Sequence, residues 1–229
     1  SYRGAISPDG KRVAFSGAGG IAFVDASGGP STNVVEAPDA VFFAWTPDGT
    51  SVLYYRSAPI RWFVLDVATR ESREAWLNPK RIIHGLRVSP DGRWVVFHVP
   101  DDPQHPIFLA PFRGGKVPEE SEWIRVKDGN DDSSVPWWSA DGNLLYWLMN
   151  RDGFVCIWAR RLDPSTKAPS GDSFPVLHLH EARRSLAGTG HGSFSPALLR
   201  DKLIFTLPEL SSNIWLAEQT TSEQQRDTH

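Results

Sequence analysis

The sequence predicts an all-β protein, a β-propeller of four-stranded antiparallel blades with five repeats visible, on three observations. A turn phrase recurs as Ser7-Pro8-Asp9-Gly10, Thr46-Pro47-Asp48-Gly49, Ser89-Pro90-Asp91-Gly92 and Ser139-Ala140-Asp141-Gly142, with a worn fifth copy from Ser195-Pro196 to Asp201-Lys202. The aspartates of the clear copies follow at intervals of 39, 43 and 50 residues, a period of stacked supersecondary units. Between the phrases lie short runs rich in Val, Ile, Phe, Tyr and Trp, several of them apolar at consecutive positions, such as Val95-Val96-Phe97 and Leu144-Leu145-Tyr146-Trp147. A sheet with one wet face alternates apolar and polar residues; continuous runs mean that both faces are covered, as they are between blades.

Each repeat reads as strands A to D. Strand A precedes the phrase at residues 3–6, 42–45, 86–88, 135–138 and 192–194. Strand B follows it at 12–15, 51–55, 93–97, 144–148 and 203–206. Strand C is placed at 21–25, 62–67, 107–112, 154–160 and 214–217. Strand D is the least uniform, at 33–35, 74–77, 123–126 and 176–179. Gly supplies the positive φ of each A–B corner, Pro presets the preceding turn, and Asp closes it with its side chain. A further Asp-Gly pair, Asp152-Gly153, joins strands B and C of the fourth repeat. All ten tryptophans fall in or beside a proposed strand. Trp45 and Trp138 share one slot, two residues before Pro47 and Ala140, and Trp158 and Trp215 share another. Such equivalence points to packing between blades. The propeller is placed over residues 1–218, and the polar segment 219–229 reads as a frayed tail.

Composition excludes several functions. With 24 Lys and Arg against 27 Asp and Glu, the chain lacks the basic excess that drives phosphate-backbone binding, so no nucleic acid is expected as partner. Cys156 is the only cysteine and forms no intrachain disulfide; in strand C it reads as a small buried apolar residue. No apolar stretch approaches the roughly 18–20 residues of a membrane span. Gly-x-Ser-x-Gly, His-Glu-x-x-His and the dinucleotide fingerprint are all missing, and no cofactor is implied.

The fourth repeat, Trp138 to Trp147 followed by Asn150-Arg151-Asp152-Gly153 and Cys156-Ile157-Trp158, resembles the TolB-type propeller repeat, a bacterial relative of WD repeats, with Ala140 in place of the usual Pro. The ending from Asp201 to Ala217 resembles the last repeat of propellers appended to acidobacterial-type kinases and winged-helix regulators. The resemblance implies an interaction surface, carries over no catalytic residues, and leans towards an extracytoplasmic setting. Because the fifth repeat ends after strand C, at least one further strand is expected upstream in a parent protein.

Alternating strand direction puts the B–C and D–A links on one rim, and three features there are candidates. Lys127 to Ser134 carries Asp128, Asp131 and Asp132, whose oxygens suit a hard cation such as Ca²⁺, although the spacing is not that of an EF-hand; a solvated acidic loop fits the same residues. His178 and His180 alternate on a strand and face one way, and with His191 would make three zinc ligands; ordinary strand and loop histidines read equally well. The link 181–190 holds Arg183, Arg184 and Ser185 before Gly188-Thr189-Gly190. With His191 it suits a carboxylate or phosphate, or simply fills the gap between blades. The expected function is a non-catalytic interaction or sensing module of a larger bacterial protein, binding a protein or small molecule at this rim. The alternative is a substrate-gating propeller of a prolyl-oligopeptidase-like serine hydrolase whose catalytic domain lies outside the chain.

Overall fold

A computed structural model describes residues 4–57, 59–76, 81–100, 102–113, 115–127, 132–133, 136–150, 153–178, 180, 186, 196–198, 202–205, 207 and 209. Four sheets follow one another along the chain. The first runs β1 (Gly4–Ile6), β2 (Arg12–Gly17), β3 (Gly20–Asp25), β4 (Thr32–Glu36); the second β5 (Ala40–Trp45), β6 (Ser51–Ser57), β7 (Ile60–Asp66), β8 (Ser72–Glu74). A third contains β9 (His84–Val88), β10 (Trp94–His98), β11 (Ile107–Pro111) and β12 (Ile124–Arg125). In the fourth, β13 (Asp132–Ser133) and β14 (Trp137–Trp138) both pair with β15 (Leu144–Asn150), which continues to β16 (Val155–Leu162) and β17 (Pro169–Leu177). All these pairings are antiparallel between strands adjacent in the order. A last hairpin, β18 (Ala197–Leu198) with β19 (Leu203–Ile204), begins a fifth unit. Among the described residues the only helix is one 3₁₀ turn, Glu120–Glu122.

The consecutive apolar runs are explained by two cores per sheet. Val52 and Tyr54 of β6 join Ala14 and Ile21 of the first sheet. Their neighbour Leu53 joins Leu86, Val95 and Phe97 of the third. Val96 turns the other way, onto Leu145 and Trp147, and Leu148 faces Leu203 and Phe205 of the last hairpin. Successive side chains of a strand point to opposite faces, so a middle strand serving two neighbouring blades needs an apolar residue at every position.

Indoles also tie blade to blade. Trp45 Nε1 donates to the Ala5 carbonyl (2.9 Å) and Trp138 Nε1 to the Arg87 carbonyl (3.1 Å). Both donors end a strand A, and both acceptors sit two residues before the corner Ser of the preceding blade. The shared slot seen in the sequence is thus one repeated bond. In β5 the register shifts between Phe42 and Ala44, and the freed Phe42 N–H donates to Ser16 Oγ of the first blade (2.7 Å).

Strand D departs from the sequence expectation twice. In the second blade it is Ser72–Glu74 rather than 74–77, because an edge strand needs only its backbone; the apolar residues beyond it pack instead, Trp76 tilting against Trp123 at 5.1 Å. In the fourth it starts at Pro169, seven residues before the expected 176. Pro169, Gly171 and Pro175 read as breakers, yet an outer edge tolerates Pro, and the register bulges between Ala159 and Arg161. The fifth repeat differs as well, since Ala197 and Leu198, expected in the corner, pair as a strand. The expected strands at 192–194 and 214–217 and the tail 219–229 lie outside the described residues.

Candidate functional site

Strand alternation gives each blade two ends. At one end sit the A–B corners, where the Ser or Thr hydroxyl and the Asp Oδ1 bond within the turn itself. Ser7, Thr46, Ser89 and Ser139 donate from Oγ to Oδ1 of Asp9, Asp48, Asp91 and Asp141 at 2.5–2.7 Å. The same Oδ1 accepts the backbone N–H two residues on, at 3.1 Å in every copy. Each glycine has φ between 68° and 74°, open to Gly without a Cβ penalty. Hydrogen bonds from Ser7, Thr46 and Ser139 hold the carboxyls of Asp9, Asp48 and Asp141 below the usual range. For Asp91 burial pushes upward most strongly, yet the bonds from Ser89 and Arg93 together outweigh it. These carboxylates are turn formers, as the sequence implied. In the fourth blade the 3%-exposed Lys167 adds a strut, its Nζ donating to the Gly142 carbonyl (2.8 Å) and Asn143 Oδ1 (2.9 Å).

Two open grooves cross this end. One of about 770 Å³ lies between the first two blades, beside Arg12, Phe23, Asp25, Asp66 and Arg70. Another of about 380 Å³ lies between the second and third, beside Asp48, Arg73, Asp91 and Phe112. Asp25 is held low by bonds from Ser27, and Asp66 by the Thr69 N–H, so the aspartates here serve their own turns too.

The opposite end carries the B–C and D–A links, to which the sequence assigns every candidate. Asp128 and Asp131 lie outside the described residues, as do Arg183, Arg184 and His191. Asp132 is in a strand, its backbone paired with Asn150 and Ser133 with Met149, so the acidic segment is partly sheet where a loop was expected. His178 and His180 are both exposed, and the structure brings them together. His178 Nδ1 stands 3.2 Å from His180 Nε2, with ring planes at 89°.

Their third neighbour is Cys156, not a residue the sequence had grouped with them. One ligand atom from each of Cys156, His178 and His180 lies within 4.8 Å of the other two. The signal was present as strand register: with strand D begun at its true start, the residues after Leu177 fall beside the first residues of strand C. Elsewhere on this end Arg56 makes a two-pronged ion pair with Asp39 (2.9–3.0 Å), and Arg81 reaches Glu120 at 3.6 Å and Asp102 at 3.9 Å.

No protein-family model and no curated protein matches the sequence, so the comparison rests on structure. A TolB of Agrobacterium tumefaciens matches over 74% of this chain and 62% of its own, with 22% identity and a TM-score of 0.59. TolB of Acinetobacter baumannii matches over 93% of this chain and 51% of its own, with 12% identity and a TM-score of 0.59. The fold is that of a TolB-like β-propeller. A puromycin-hydrolysing peptidase of Mycobacterium tuberculosis also matches, over 91% of this chain and 35% of its own, with 19% identity and a TM-score of 0.62. The chain therefore spans less than two thirds of each of these relatives. Identities this low carry the TolB-like fold across and nothing of the neighbours' activities.

Proposed function

We propose that this TolB-like propeller is a non-catalytic interaction or sensing module of a larger bacterial protein, binding a protein or small molecule through the links at its B–C and D–A end. The observation that carries this reading is the contrast between the two ends. The corner end repeats one hydrogen-bonded turn four times. The B–C links at the other end vary, from the two residues between β2 and β3 to the eight between β10 and β11. Recognition concentrates in variable links held by a rigid frame. The terminal-repeat resemblance favours attachment to a kinase or a winged-helix regulator, and the TolB resemblance favours an extracytoplasmic setting.

The test replaces residues 181–185 and 187–190 with Gly and Ser in the parent protein and keeps Leu186, which is fully buried with Trp137, Leu148 and Ile157. Binding to the partner captured by wild type is expected to disappear while the melting temperature stays within about 2 °C; undiminished binding overturns the reading. A second reading draws support from the peptidase match, namely a propeller gating a serine hydrolase domain outside residues 1–229. A fluorophosphonate probe labelling a serine of the parent protein beyond this segment would favour it over the sensor.

A further inference from the structure

We propose that Cys156, His178 and His180 form a zinc-class transition-metal site on the fourth blade, with three protein ligands and a fourth position open to solvent. The site stands independently of the interaction reading, although it lies on the same rim. Strand register sets its geometry. Ile157 is opposite Leu177 across β16 and β17, and continuing that antiparallel count puts Cys156 beside His178 and Phe154 beside His180, all on one face. Ring contacts agree with the continuation: Phe154 stacks on His180 with centroids 4.5 Å apart, and Trp158 meets His178 edge-on at 5.9 Å. Aromatic rings thus pack against both imidazoles.

The distances suit a tetrahedral ion. Bonds of about 2.0–2.1 Å to nitrogen and 2.3 Å to sulfur place two nitrogens roughly 3.3 Å apart, and nitrogen and sulfur roughly 3.6 Å apart. The His178 and His180 nitrogens already stand at 3.2 Å. Cys156 Sγ, with one ligand nitrogen of each histidine within 4.8 Å, needs to close by at most about 1.2 Å to reach that spacing. A plain hydrogen bond between the imidazoles would give the same nitrogen spacing, so the cysteine decides. Its side chain is 1% exposed and faces the pair, with the 3%-exposed Met149 opposite it on β15. One thiolate and two imidazoles are soft and borderline donors, which select zinc-like ions over calcium or magnesium. Both histidines are exposed, so water can complete the coordination. Binding would fasten the end of the outer strand to strand C just before the 181–190 link.

The experiment titrates the full chain, tag-free and chelator-treated, with Co(II) as the spectroscopic substitute for Zn(II). Saturation at one equivalent is expected, with a thiolate-to-cobalt charge-transfer band, the intense visible bands of tetrahedral cobalt, and loss of both on adding Zn(II). Cys156→Ser should remove the charge-transfer band and weaken binding at least tenfold. His178→Ala and His180→Ala should each weaken it comparably, and His105→Ala should change nothing. A weak octahedral spectrum, or equal affinity in Cys156→Ser, overturns the site. Should that variant fail to fold, His178→Ala/His180→Ala alters only exposed side chains and keeps the thiol; a charge-transfer band persisting there overturns the site equally.

Discussion

Replacing Trp138 with phenylalanine is expected to cost the fold about 2–3 kcal/mol, while the same change at Trp45 costs under about 1 kcal/mol. The two indoles make equivalent bonds at different depths. Trp138 is 7% exposed and packs with Leu145, Trp147 and Met149. Its loss removes one N–H···O bond, worth about 1 kcal/mol, and leaves the part-buried Arg87 carbonyl with one donor fewer, for up to about another 1 kcal/mol. The smaller ring adds a void costing up to about 1 kcal/mol. Trp45 is only half-buried and its bond to Ala5 is exposed, so water replaces the donor, and a phenyl ring keeps the stacking on Phe23 now seen at 5.4 Å. For a chain of this size 1 kcal/mol moves the melting temperature by about 2–4 °C. Thermal melts followed by far-UV circular dichroism should therefore separate the variants by several degrees, with urea midpoints shifting in the same order and unchanged slopes. If Trp45→Phe proves as costly as Trp138→Phe, depth is not what grades these contacts and the two-core account of the blades fails.

Gly20→Ala should destabilise by about 2 kcal/mol or more, because Gly20 has φ of 128° and an added Cβ would sit 2.0 Å from the Val35 carbonyl oxygen; a melting temperature within 1 °C of wild type would refute the strain. The Thr46 hydroxyl holds the Asp48 carboxyl below its ordinary 3.8, so its stabilisation is present in full above the unfolded value and is lost as pH falls through the folded one. Urea unfolding should accordingly show Asp48→Asn weaker than wild type at pH 7 by a margin that narrows as pH falls below 3.8; a gap that widens in acid would contradict the sign. Arg56→Ala should barely move the urea midpoint despite its two-pronged bond to Asp39, since the pair is exposed, and any shift should vanish in about 1 M salt.

What the sequence made legible was whatever repeats. Corners, strands A to C of the first four units and the shared Trp slot were all readable, because each is dictated by local chemistry: a left-handed Gly, a hydroxyl capping an Asp, an apolar residue at every position of a two-faced strand. Strand D was read poorly for a physical reason. As the outer edge it answers to one neighbour through its backbone, so Ser72-Arg73-Glu74 and the Pro-bearing 169–177 satisfy it as well as an apolar run would. Side-chain pattern says little there. The cost of misplacing the last strand D was the Cys156 cluster, since only the register reveals which residues of strand C stand beside His178 and His180.

The same logic bears on where function resides. A propeller spends its regular residues on stacking, and at the corner end the hydroxyls of Ser7, Thr46, Ser89 and Ser139 and the carboxylates they bond are committed to holding the turn. Groups committed in this way have little capacity left for a ligand. Capacity is found where the repeat breaks, and in the fourth blade it breaks by concentrating a thiol and two imidazoles at the end of the outer strand. Blades one to three offer no counterpart among the described residues: His84 and His98, opposed across β9 and β10 with rings 5.5 Å apart, have Arg87 and Val96 rather than a cysteine near them in the register. A feature present in one blade and missing from its equivalents is not required by the architecture, and it is on that asymmetry that a chemical role for the fourth blade rests.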